Sequence, residues 1–211
     1  MKFNDHSRLE GMHAFMGASK YAWLRYDDQH MADVFRSSMA AQRGTELHAL
    51  AHDLNKQRVA LPSSHTTLND FVNDGLRFRM SSEVVLFYSQ NCFGTADLIG
   101  YDDRKKLLRI FDLKTGVLEV KHFDQLKIYA SLFCLEYNVK PFDISFDLRL
   151  YQNDRIKIAT NLVEKDLHLK NRPTADIFED VDQDEIAHIM DTIQHFDQMI
   201  EQLRTEESQQ W

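Results

Sequence analysis

The run Leu107-Leu108-Arg109-Ile110-Phe111-Asp112-Leu113-Lys114 most constrains the fold: an apolar strand that ends in a carboxylate and an ammonium. Residues two apart on a strand face the same way, so Asp112 and Lys114 project together from one side of a sheet. Alone, such a pair reads as a surface ion pair of little energetic worth. At the end of a buried strand the same carboxylate can hold a hard divalent cation, and the neighbouring lysine can orient or deprotonate a water.

The neighbouring segments fit a sheet around this strand. Glu83–Tyr88 and Thr95–Tyr101 read as further strands, and the all-charged Asp102-Asp103-Arg104-Lys105-Lys106 suits a hairpin tip, giving an antiparallel meander. Helical spacing follows over Asp124–Asn138, then strands over Phe142–Tyr151 and Ile156–Val163 joined through Gln152-Asn153-Asp154-Arg155. Upstream, Ala18–Leu54 reads as helices interrupted at Gly44, and Leu68–Arg79 as another helix with Asn69 or Thr67 near its start. An apolar stripe from Ile186 to Leu203 marks a last helix, about Asp184 to Arg204, with Thr205–Trp211 as a frayed tail. The expectation is a single α/β domain over 1–211, with a mixed central β-sheet flanked by helices. Its parts are a helical N-terminal part about 1–80, a core about 81–165 and a C-terminal helix about 183–206.

Composition narrows the function classes. With 43% hydrophobic and 27% charged residues the chain reads as an ordinary soluble protein, and no apolar stretch approaches a membrane span. The opening MKFNDHSRLEGMHAF lacks an apolar signal core, so a cytoplasmic location is expected, host cytoplasm if the chain is phage-encoded. Cys92 and Cys134 are too few for a disulfide framework or a four-thiolate cluster and read as reduced, inert thiols. The net charge of −8 argues against phosphate-backbone binding by charge alone, but carboxylates that hold cations contribute to that count.

Asp97, in Gly94-Thr95-Ala96-Asp97, supplies a second carboxylate if its strand is the hairpin neighbour of Asp112. His48, four residues after Gly44, adds an imidazole, making a mixed O,O,N site compatible with Mn²⁺ as well as Mg²⁺. Gln125 and Tyr129 lie one helical turn apart and share a face. Glu83 begins the strand before Asp97 and could approach a metal there, but reads first as an edge-strand carboxylate in solvent. His52 reads as an exposed helix residue, since the His48/His52 pair lacks the glutamate of a zinc-protease helix.

The ordered set Gly44-x-x-x-His48, Gly94-x-x-Asp97, Asp112-x-Lys114-Thr-Gly and Gln125-x-x-x-Tyr129-Ala130 resembles the RecB-like branch of the PD-(D/E)XK nuclease superfamily, which includes phage and CRISPR-associated exonucleases. The blocks cover about residues 43–135. The resemblance implies a restriction-endonuclease-like core and a divalent-metal-dependent DNA nuclease, an exonuclease first, in recombination, repair or processing. His48, Asp97, Asp112 and the Leu113 carbonyl would hold Mg²⁺ or Mn²⁺, Lys114 would position or activate the water, and Gln125 and Tyr129 would support the site or touch DNA. Products would carry 5′-phosphate and 3′-hydroxyl ends, and partners would be DNA and recombination or replication proteins. Asp112 stands where many relatives have glutamate. Two cysteines replace the four that hold an iron–sulfur cluster in several relatives, so no cluster is expected. The alternatives are a catalytically silent nucleic-acid-binding or interaction module of the same fold, or a nuclease subunit that needs a partner.

Overall fold

Strands β1 (Ser81–Ser89), β2 (Cys92–Asp102) and β3 (Leu107–Leu113) form the antiparallel meander expected from their turn-separated apolar runs. The computed structural model describes residues 8, 14–16, 18–164, 167, 169 and 175–208; most of the N-terminal segment read for a leader, and Gln209–Trp211 of the tail, lie outside them. Helix α1 spans Asp28–Lys56, α2 Thr67–Arg77, α3 Asp124–Glu136 and α4 Gln183–Ser208. Strands β4 (Ser145–Gln152), β5 (Arg155–Thr160) and β6 (Ala175–Asp180) complete a six-stranded mixed sheet in the order β1-β2-β3-β4-β5-β6. The β3–β4 and β5–β6 pairs are parallel and the other neighbours antiparallel.

The chain divides into two units, 1–43 and 44–211. In the first, a 3-10 helix over Ala18–Arg25 precedes α1, whose start is capped by Asp27 Oδ1 accepting the His30 N–H at 2.7 Å. Phe15 and Phe35 meet edge-to-face at 5.3 Å.

The second unit holds the sheet, with a hydrophobic cluster on each face. Leu108 and Ile110 of β3, with Phe146, Leu148 and Leu150 of β4, pack with Leu126, Ala130 and Phe133 of α3 and Ile186 of α4. Phe111 and Leu113, with Tyr151 and Ile158, pack with Ala51 of α1 and Phe71 and Val72 of α2. This two-sided burial explains why β3 is buried at every position. Asn153 and Asp154 take positive φ angles of 51° and 57°, as a tight β4–β5 hairpin requires. Asp154 also caps α2 from outside: its Oδ1 accepts the Thr67 N–H at 2.8 Å.

Four expectations change. Gly44 does not interrupt α1, which runs through it; a Cβ there would stand 2.6 Å from Thr115 Oγ1, so glycine serves close approach rather than a break. His52 is half-buried and its Nδ1 lies 2.8 Å from Ser82 Oγ. The tail from Thr205 to Ser208 continues α4. Strand β6 was not foreseen, because most of its residues face solvent and no apolar alternation marks it.

Candidate metal centre

The site lies where β2 and β3 part. Their ladder pairs Leu98 with Phe111 and runs from there toward the hairpin tip, so Asp97 and Asp112 stand just beyond its last pair. The β1–β2 pairing also skips one step, between Ser82↔Leu98 and Val84↔Ala96, where Glu83 and Asp97 face each other. Glu83 has a φ of 53°, a left-handed conformation unusual for this side chain. Side-chain alternation switches at this point. Val84, Leu86 and Ala96 pack toward α3 and so does Ile99, whereas Leu98 faces the α2 side and Ser82 meets His52 of α1. The carboxylates of Glu83 and Asp97 thereby leave the regular rows and meet the imidazole of His48.

One ligand atom from each of His48, Glu83 and Asp97 lies within 4.8 Å of the others. His48 Nδ1 is 3.3 Å from Asp97 Oδ2, and the same oxygen accepts the Leu113 N–H at 2.8 Å, a donor for which β2 offers no backbone partner. The contact to Asp97 raises the His48 pKa, against the opposing effect of burial. Glu83 is thus the residue that sequence reasoning left in solvent. It is exposed, but its place across from Asp97 was readable from the strand register once β1 and β2 were paired.

Asp112 is 3% exposed and projects on the α3 side of β3. Lys114 Nζ stands 2.9 Å from its Oδ2, and this ion pair is the one polar contact of that buried oxygen among the described residues. Burial first, then the Asp97 charge, push the Asp112 pKa up against the opposing pull of Lys114. Asp112 does not belong to the mutual set formed by His48, Glu83 and Asp97 among the described residues.

Lys114 Nζ donates to Gln125 Oε1 at 2.7 Å, and Gln125 Nε2 donates to Tyr129 OH at 3.0 Å, so the i,i+4 pair on α3 is a chain ending on the lysine. The Tyr129 ring turns its Cε1 edge to β2 where Gly94 has no side chain: a Cβ there would be 2.8 Å from Cε1. Burial raises the Tyr129 pKa, keeping the phenol neutral with a proton to donate. Beside Lys114 a cavity of about 300 Å³ opens, lined by Leu47, Thr67, Leu68, Thr115 and Asp154.

The structure therefore brings His48, Asp97, Asp112, Leu113, Lys114, Gln125 and Tyr129 to one fork, with Glu83 added. The donor set fits a divalent cation: an imidazole nitrogen, carboxylate oxygens and a buried carboxylate whose charge burial disfavours. Comparison with family models, curated proteins and solved structures finds no match. No helix among the described residues is long and apolar enough to cross a membrane. Cys92 and Cys134 are free thiols, and burial pushes the Cys134 pKa up to about 12.

Proposed function

We propose that this chain is a divalent-metal-dependent DNA nuclease, with a restriction-endonuclease-like core and a RecB-like PD-(D/E)XK site. The observation that carries this reading is the buried Asp112 carboxylate, whose Oδ2 meets Lys114 Nζ alone and whose charge burial and Asp97 disfavour, next to the His48, Glu83 and Asp97 group. A buried carboxylate held this way costs stability in the metal-free protein and is what a cation would relieve.

His48, Asp97 and Asp112 would hold Mg²⁺ or Mn²⁺, with Glu83 adding a further carboxylate; bound there, the ion would supply Lewis-acid polarisation of a phosphoryl oxygen and a lowered pKa of water. Lys114 Nζ, held by Gln125, orients the attacking water, and Tyr129 keeps the Gln125 amide turned toward the lysine. The Leu113 N–H fixes Asp97. Hydrolysis leaves 5′-phosphate and 3′-hydroxyl ends.

The test is an assay on end-labelled single-stranded, linear duplex and closed circular DNA, with Mg²⁺, Mn²⁺ or EDTA. Wild type should cleave only with metal, and Lys114→Ala should lose about 10²–10⁴-fold, the scale of a lost proton-handling group. DNA binding without cleavage under any metal would leave the silent module as the reading; cleavage that survives EDTA would refute the metal centre.

A further inference from the structure

A second cavity, of about 440 Å³, opens beside the β2–β3 hairpin tip, away from the fork, and is lined by Phe78, Arg79, Tyr101, Asp102, Arg104 and Arg109. Its deepest cation is Arg109, 7% exposed, on the α2 face of β3, whereas Asp112 is on the other face and about 10 Å further along the strand.

Arg109 is weakly compensated for a buried guanidinium. Its one hydrogen bond is a long one, Nε to Asp147 Oδ2 at 3.3 Å, and Arg149 already binds that carboxylate through Nε at 2.7 Å and Nη2 at 2.8 Å. Stacking over the Phe78 ring, 4.4 Å to the centroid, holds its plane but offers no acceptor. Among the described residues no acceptor bonds either Nη of Arg109, and burial lowers its pKa in spite of Asp147.

The other two arginines add to this surplus. Arg79 and Arg104 are exposed and, among the described residues, form no ion pair. Of the acids at the same mouth, Asp103 pairs with Lys106 Nζ at 2.7 Å, whereas Asp102, whose Oδ1 accepts the backbone N–H groups of Arg104 and Lys105 at 3.1 Å each, keeps its charge and acts on Arg109; the three arginines still outnumber it. Three guanidiniums, one fixed on the floor and two at the rim, match a compact multivalent oxyanion, because planar N–H forks bind phosphate oxygens bidentately.

We propose that this cavity binds a phosphate monoester, contributed either by a free nucleotide or by the phosphorylated end of a DNA strand. Arg109 grips the phosphate from the floor, and Arg79 and Arg104 close on it from the rim. The proposal does not depend on the nuclease reading, since none of these residues belongs to the fork.

The experiment is calorimetric titration of the full chain in EDTA and low salt, so that no cation in the fork can recruit phosphate. The titrants are inorganic phosphate, a 5′-deoxynucleoside monophosphate, and a short oligonucleotide with and without a 5′-phosphate; sulfate serves as the comparison anion. Phosphate-bearing titrants should bind, and the double variant Arg79→Ala/Arg104→Ala should bind at least tenfold more weakly with an unchanged melting temperature. A mononucleotide that binds more tightly than the oligonucleotide identifies the free source, and the reverse order a strand end. Absence of binding at millimolar phosphate, equal binding of sulfate, or full binding by the double variant each overturns the site.

Discussion

Two almost fully buried carboxylates on adjacent strands, Asp147 of β4 and Asp112 of β3, meet opposite fates. Asp147, 0% exposed on the α2 face, has both oxygens taken by Arg149, and Arg109 adds a third contact. Arg149 completes its fork by donating to the Leu167 carbonyl at 3.0 Å and approaching Asp74 Oδ2, which accepts the Tyr151 hydroxyl at 2.8 Å. Burial opposes the Arg149 charge, yet Asp147 more than offsets it and the Arg149 pKa is raised. Asp112, 3% exposed on the α3 face, has Lys114 Nζ as the one polar contact of its Oδ2, and its pKa rises because burial and Asp97 outweigh Lys114. A buried charge that serves only the fold is closed on all sides; one left open is kept for a ligand or a reaction.

The sharpest way to break this comparison is to remove the closed carboxylate. Asp147→Asn strands the Arg149 guanidinium and should cost about 3–5 kcal/mol, the scale for halving a buried pair. Urea unfolding measures it as a lowered midpoint. A cost below about 1 kcal/mol would show that solvent or Asp74 already carries Arg149, and the contrast would lapse.

Next in size is Gly94→Ala at the fork. The new methyl meets the Tyr129 ring at 2.8 Å, so ring or strand must move, at about 1–3 kcal/mol. Pairing it with Tyr129→Ala in a double-mutant cycle should recover most of that loss; additive losses would mean the ring is not what the glycine accommodates.

Asp112→Asn should act in the opposite direction to Asp147→Asn. In metal-free protein it removes a disfavoured charge and should stabilise by about 0.5–2 kcal/mol while abolishing cleavage, the usual exchange at a strained site. Mn²⁺ should raise the melting temperature of wild type and leave the variant unmoved. A destabilised variant would place Asp112 among the closed, structural charges.

Much of the fork was legible because strand chemistry is local. The meander, the Asp112/Lys114 face and the Gln125/Tyr129 turn all follow from spacing, and the structure links the last three side chains in series. Glu83 was legible only in part: its place at the start of the strand before Asp97 brings it within reach, but the turn toward His48 depends on a positive φ and on pairing across a skipped step, and neither leaves a mark in composition. Gly44 was misread for a related reason, since a glycine that permits close approach from Thr115 looks in sequence like one that breaks a helix. The closed network was invisible for want of pairing knowledge. Arg109 lies opposite Asp147 only because β3 and β4 are parallel neighbours, a long-range choice made through α3.

Lys127 on α3 gives the intermediate case and the smallest expected effect. Its side chain is nearly buried, and it meets Glu179 Oε1 at 2.8 Å, a buried atom of a partly exposed side chain, and Glu185 Oε2 at 2.7 Å on a more open one. Burial lowers the Lys127 pKa, the two glutamates raise it, and the net direction is upward from the ordinary 10.5. A raised lysine pKa contributes stability that is complete below 10.5 and is lost as pH climbs through the folded value. Because both glutamate side chains are partly exposed, the loss should stay below about 1 kcal/mol, far short of Asp147. Urea midpoints for wild type and Lys127→Met, measured below and above that window, should differ at the lower pH and converge at the higher. A constant difference would mean that the lysine stem, packed against β6 and α4, contributes more than its charge.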